Sequence, residues 1–280
     1  VARTRTLFKS LTRRGPHHVL RGDLAFAGIP GVVYTPASGF GLPGLAFAHD
    51  WLTDAERYAG TCEHLASWGI VTAAPNTQRG LAPSVLNFAY ELGSTLDVLC
   101  GVRLGPGEIS VDPAKLAVAG DGFGGAAAIF AAAGLSGTAN GPKAVAAVFP
   151  AVTKPSAEQP AATLTVPGLV LATPDDRTSL RTDAYEIAQA WKGSILRTVD
   201  DADNVAEKRR FARLLGLPGS DSRGQKTVRA LLTGFLHSHL TGDKSYAEFA
   251  DADATLPRTR LPDPDAPDVT AEDRLVALFR

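Results

Sequence analysis

Leu116-Ala-Val-Ala-Gly-Asp-Gly-Phe-Gly-Gly125 runs an apolar strand straight into a glycine-rich turn of the form Gly120-x-Gly122-x-Gly124. A strand that turns sharply into a helix lifts the middle residue of the turn to the edge of the sheet, and small flanking residues let strand and helix approach closely. Gly120 and Gly124 fill the flanking positions. The raised position itself is Gly122, which has no side chain and so nothing with which to attack a substrate.

Outward from this turn, short apolar runs alternate with longer helix-like stretches. Strands are expected at Ile29–Tyr34, Gly44–Ala48, Val71–Ala74, Leu116–Ala119, Ala144–Phe149, Gly168–Ala172 and Ser194–Val199, with helices near 57–68, 84–100, 124–133 and 182–191. Strands that are apolar throughout, alternating with helices, predict an α/β domain built on a mostly parallel, doubly covered sheet. This domain is expected over residues 21–253, after a basic N-terminal segment, 1–20. In that segment Leu7, Phe8 and Leu11 share one helical face, surrounded by Arg3, Arg5, Lys9, Arg13 and Arg14. Residues 254–280 open with a proline-rich stretch that predicts an extended linker. Thr270-Ala-Glu-Asp273 then reads as a capping box for a short helix carrying Leu275, Val276, Leu278 and Phe279, a face for its own domain, a protein partner or a homodimer.

The charge is balanced, 28 basic residues against 29 acidic, which argues against a dedicated nucleic-acid binder and toward small molecules or proteins as partners. No apolar run reaches the ~18 residues of a transmembrane span, and the N-terminus lacks an apolar signal core, which points to the cytoplasm. Cys62 and Cys100 lie in apolar patterns and read as buried thiols; no Cys/His cluster has metal-ligand spacing, and no cofactor is implied. His237 and His239, two apart on a helix, point about 200° away from each other and read as solvated positions. Asp200, Asp201 and Asp203 read as an acidic surface turn.

Several segments together carry a family resemblance. They are Leu45-Ala-Phe-Ala-His-Asp-Trp-Leu-Thr-Asp54, His64-Leu-Ala-Ser-Trp-Gly-Ile-Val71, Ala74-Pro-Asn-Thr77, the turn at 120–125, Pro167-Gly-Leu-Val-Leu-Ala-Thr-Pro-Asp-Asp176 and Thr233-Gly-Phe-Leu-His-Ser-His-Leu-Thr-Gly-Asp-Lys-Ser-Tyr246. In order and spacing, over about residues 20–250, they resemble the α/β-hydrolase branch containing dienelactone hydrolases, chlorophyllases and cutinase-like polyester hydrolases. The resemblance implies an α/β-hydrolase fold with a Ser-His-Asp triad and two main-chain oxyanion donors. Carried onto this chain, the nucleophile position is Gly122, the acid Asp176 with Asp175 as an alternative, and the histidine position Asn204. The donors would be the backbone amides of Trp51 and Phe123. No histidine occurs between His64 and His237, so base and nucleophile are both missing from their positions.

The resemblance therefore implies a pseudo-enzyme that binds a small acyl or ester-like ligand or serves as a scaffold. His49, Asp50 and Asp121 are the ligand-binding or acid–base candidates near the turn. The competing reading is an active ester hydrolase with an unconventional nucleophile, Asp121 among the candidates. Gly120-x-Gly122-x-x-Gly125 also satisfies a dinucleotide fingerprint, but the next strand lacks the expected ribose-binding acid; none occurs before Glu158.

Overall fold

The computed structural model describes residues 2–200, 205–207, 222–263 and 269. Its strands are β1 (Val19–Asp23), β2 (Gly31–Pro36), β3 (Gly39–Ala48), β4 (Val71–Pro75), β5 (Ile109–Asp121), β6 (Ala144–Val148), β7 (Gly168–Ala172), β8 (Ser194–Val199) and β9 (Thr259–Arg260). They form one sheet in the order β1-β2-β4-β3-β5-β6-β7-β8-β9. From β4 across to β8 every pairing is parallel, whereas β1–β2, β2–β4 and β8–β9 are antiparallel.

Alternation along each inner strand divides the core in two. Leu45 and Phe47, Ala117 and Ala119, Leu169 and Leu171 face one side. There they meet Phe8 and Leu11 of α1 (Ala2–Leu11), Cys62 and Leu65 of α2 (Ala59–Ser67), and Phe235 of α7 (Ser222–Leu240). Ala46 and Ala48, Leu116 and Val118, Val170 and Ala172 face the other side. Their partners lie on α3 (Val85–Gly101), α4 (Phe123–Gly134), α5 (Glu158–Thr163) and α6 (Ala184–Ala190). Because both faces are covered, successive strand residues are all apolar, and the expected mostly parallel α/β sheet is what forms.

The N-terminal segment belongs to this body. Phe8 stacks on Phe249 with ring centroids 6.3 Å apart, and β1 spans residues on both sides of position 20. The proline-rich stretch returns to the sheet as well: Leu256 is buried, and Thr259 and Arg260 pair with Val199 and Thr198. The fully buried Arg197 guanidinium donates to the carbonyls of Ala254 and Asp251, both at 2.7 Å. The capping box and apolar face of 270–280 lie outside the described residues.

Two smaller expectations change. His237 and His239 are packed, not solvated: His237 Nε2 lies 2.9 Å from the Trp68 carbonyl and its ring stacks on Tyr246, while His239 meets Phe235 edge-on. The cause is that α7 is enclosed by α2 and the 3-10 turn Lys244–Ala250, so flanking as well as central positions find neighbours. Cys62 is buried, but Cys100, near the end of α3, is only partly so. Among the described residues no helix is long and apolar enough to cross a membrane.

Candidate functional site

β5 ends at Asp121, α4 begins at Phe123, and Gly122 alone makes the turn with φ 54° and ψ −117°. An L side chain in that region costs on the order of 1–3 kcal/mol, which glycine avoids. The turn is clamped to the end of β6: the Gly122 amide donates to Val148 at 2.9 Å, and its carbonyl accepts from Ala151 at 3.0 Å. Close approach sets the flanking residues. A Cβ on Gly120 would lie 2.2 Å from the Gly124 carbonyl oxygen, and one on Gly124 would lie 2.4 Å from that of Ala48.

What faces Gly122 is Asp50, two residues beyond β3. A Cβ built on Gly122 would stand 2.0 Å from Asp50 Oδ1 and 2.3 Å from its Cγ, so the carboxylate occupies the volume into which a side chain would project. Asp50 Oδ1 accepts the Phe123 amide at 2.7 Å, and the neighbouring Trp51 amide adds to the pull on its charged form. Of the two amides that the resemblance assigns as oxyanion donors, that of Phe123 is thus already taken by an anion the chain supplies itself. Burial pushes the Asp50 carboxyl above its ordinary value, against the opposing pull of the two amides and of His49.

The Asp50 backbone is fixed from both sides. Its amide donates to the Tyr58 hydroxyl at 3.1 Å, and its carbonyl accepts the Thr53 hydroxyl at 2.8 Å. Leu52, with φ 55°, supplies the left-handed step that folds this loop back. Tyr58 is fully buried and in turn donates to Asp121 Oδ2 at 2.9 Å, so Asp50 and Asp121 are joined through one phenol. Burial, followed by the nearby charges of Asp121 and Asp50, holds Tyr58 well above the usual phenol value. Asp121 Oδ2 also accepts the Val205 amide at 3.3 Å. Sequence reasoning did not single out Tyr58; its only signal was an aromatic residue shortly after the Asp50 loop.

His49 is buried with both ring nitrogens against main-chain carbonyls: Nδ1 lies 2.8 Å from that of Asp50 and Nε2 2.7 Å from that of Thr77. Its ring also packs on Phe88. Held this way, it orients the loop and has no nitrogen directed at the turn. Asp176 is buried just after β7, where its Oδ2 accepts the Tyr185 amide of α6 at 3.3 Å, while Asp175 is exposed. β7 is two strand spacings, about 10 Å, from β5. Asn204, Asp201 and Asp203 lie outside the described residues; Asp200 pairs with Arg260.

The rim of the site is apolar and exposed: Trp51 and Leu52 stand beside Asp50, and Val152 follows the Ala151 that clamps Gly122. Beneath, Phe123 stacks on Phe88 at 6.3 Å. The dinucleotide reading meets a local obstacle, because the Asp50 anion already sits on the first amide of α4, where a pyrophosphate would bind. Among the described residues no group of three or more His, Cys, Asp or Glu is arranged to hold a metal ion. No protein-family model matches the chain, and no curated protein sequence matches it.

Proposed function

We propose that this chain is an α/β-hydrolase-fold protein that does not hydrolyse esters through a serine, and that its turn site binds a small acyl or ester-like ligand. The observation that carries this reading is the Asp50 carboxylate at the position of the missing nucleophile, bonded to the Phe123 amide at 2.7 Å. The strained strand-to-helix turn at Gly122, with Gly120 and Gly124 in close contact around it, supports the fold assignment.

In this reading the two amides are the binding groups, and Asp50 is the resident that a ligand displaces. When its side chain rotates away, a carbonyl oxygen takes the hydrogen bonds of Trp51 and Phe123, and Trp51, Leu52 and Val152 cover the acyl chain. No group then stands ready to attack. Main-chain donors alone account for about 10³-fold acceleration over water, far below an intact triad.

A second reading draws on the same contact. Asp50 delivers a carboxylate oxygen close to where a serine oxygen would stand, so it could act as an unconventional nucleophile or as the base for a water molecule. Against this, a carboxylate bonded to the Phe123 amide takes that donor from the oxyanion that would form.

Turnover of short and medium acyl p-nitrophenyl esters separates the two, with Asp50→Ala, Asp176→Ala and heat-denatured protein run alongside. The proposal expects no activity above the denatured control in the wild type. It also expects N-methylbutyramide to bind Asp50→Ala roughly tenfold more tightly than wild type, a difference of about 1.4 kcal/mol. Wild-type turnover abolished by Asp50→Ala would establish the second reading. Turnover abolished by Asp176→Ala would overturn the proposal in favour of a working acid–base site.

A further inference from the structure

On the side of the sheet that carries α1 and α7, lined by none of the residues of the Gly122 turn, the molecule has a groove of about 740 Å³. Arg5, Lys9 and Arg13 line it from α1 and its C-terminal end, Arg223 and Lys226 from α7, and Arg258 from the turn before β9. Its floor is apolar, made by Phe8 and Leu256, both buried. None of the described residues lining it is acidic, although the whole chain has a net charge of −1. Positive charge is therefore concentrated here against the average of the molecule, and a concave, low-dielectric floor focuses such a field.

Helix geometry explains the convergence. Arg5 and Lys9 are i, i+4 neighbours on a face adjoining the buried pair Phe8 and Leu11, and Arg223 and Lys226 are i, i+3 neighbours. Packing α1 on α7 through the apolar residues brings the two cationic rows to opposite walls. Arg258 completes the end wall, where the Asp200 amide holds its carbonyl at 3.1 Å. The described ion pairs use other cations: Arg14 with Glu63, Arg21 with Glu56, Lys115 with Asp112, Arg229 with Glu207 and Arg260 with Asp200. Arg5, Lys9, Arg13, Lys226 and Arg258 thus stand together without carboxylate partners among the described residues.

We infer that this groove is a binding site for a compact polyphosphate anion, one presenting several phosphate groups within its length. Arginine matches phosphate oxygens in bidentate pairs, and lysine adds point charge, so walls carrying both suit clustered phosphates better than a single carboxylate. A volume of 740 Å³ is in the range of small-molecule sites. The same chemistry is offered by a soluble polyphosphate and by a multiply phosphorylated lipid headgroup.

Isothermal titration with inorganic tripolyphosphate tests the site on the full chain. Wild type is expected to bind with micromolar affinity, weakening as NaCl is raised from about 50 to about 200 mM. Lys9→Gln/Lys226→Gln should weaken binding roughly tenfold or more, while Lys143→Gln/Lys192→Gln, which removes two exposed lysines elsewhere, should leave it unchanged. All four positions are exposed, and circular dichroism verifies that each variant is folded. Cosedimentation with phosphatidylcholine vesicles, with and without phosphatidylinositol 4,5-bisphosphate, distinguishes the sources. Sedimentation that requires the phosphoinositide and is reversed by tripolyphosphate identifies a headgroup ligand. Tripolyphosphate binding without sedimentation identifies a soluble one. Absence of tripolyphosphate binding, or equal weakening in the two double variants, overturns the inference.

Discussion

The carboxylate of Asp50 accepts the amide hydrogen of Phe123 at 2.7 Å, and so fills the space that any side chain at position 122 would enter. Loop, turn and helix are consequently coupled through a single anion. A change at either residue 50 or residue 122 is felt by the other.

Gly122→Ser is expected to destabilise the fold and not to create a working nucleophile. The left-handed φ of 54° contributes on the order of 1–3 kcal/mol of strain, and the contact with Asp50 adds to it. In Asp50→Gly/Gly122→Ser the contact is relieved, so a double-mutant cycle by urea denaturation should give a coupling of about 1–3 kcal/mol. Strict additivity would mean that Asp50 does not occupy this space.

Tyr58→Phe removes the donor to Asp121 and the acceptor for the Asp50 amide in one step. A loss of about 1–3 kcal/mol is expected, the range for stranding buried polar groups. The phenol gives a second readout. Its folded value lies above the ordinary 10.0, so its contribution to stability is intact below pH 10 and is lost as pH rises toward the folded value. Ultraviolet titration at the tyrosinate band should find one tyrosine that ionises only with alkaline unfolding, and Tyr58→Phe should remove that step.

His64 provides the acid counterpart. Burial, and after it the charge of Arg229, lowers its value from 6.5 to about 4. The folded state therefore favours neutral imidazole, so this contribution is complete above pH 6.5 and falls as pH drops from there toward 4. At roughly 1.4 kcal/mol per unit the shift corresponds to at most about 3–4 kcal/mol. Denaturation midpoints measured across this window should decline, and His64→Gln should flatten the decline.

Arg197→Met deletes the bonds to Ala254 and Asp251 that hold the chain returning to β9. Hydrogen bonds from a charged donor are each worth about 1.5–3 kcal/mol, less the relief of desolvating a buried guanidinium. We expect a net loss of about 2 kcal/mol, together with faster proteolytic cleavage between residues 251 and 258. An unchanged digestion pattern would show that β9 pairing alone anchors this segment.

The inner strands were legible because both of their faces are covered. Ala144–Val148 and Gly168–Ala172 are apolar at every position, and no competing pattern fits. At the margins of the sheet that signal vanishes. β1, Val-Leu-Arg-Gly-Asp, is an edge strand with three of its five residues exposed, and β9 is two residues long within a proline-rich run. α5, six residues with Pro160 inside, has too few turns for a period. At the site, the sharp turn at Gly122 was readable because it follows directly from the end of an apolar strand. The inward turn of Asp50 was not, since it depends on the left-handed Leu52 and on a phenol arriving from Tyr58, contacts that no local spacing encodes. The packing of His237 and His239 was hidden for a similar reason: both walls enclosing α7 come from distant parts of the chain.

The glycine turn also bears on how this protein can change over generations. A serine at position 122 meets the Asp50 carboxylate and a backbone shape that strains any side chain, so a lineage acquiring it first passes through a weakened fold. Removing Asp50 first frees the Phe123 amide hydrogen with no attacking group to use it. Neither single step is rewarded alone, and the present arrangement behaves as a one-way latch: easy to keep, and reversible only by paired substitutions.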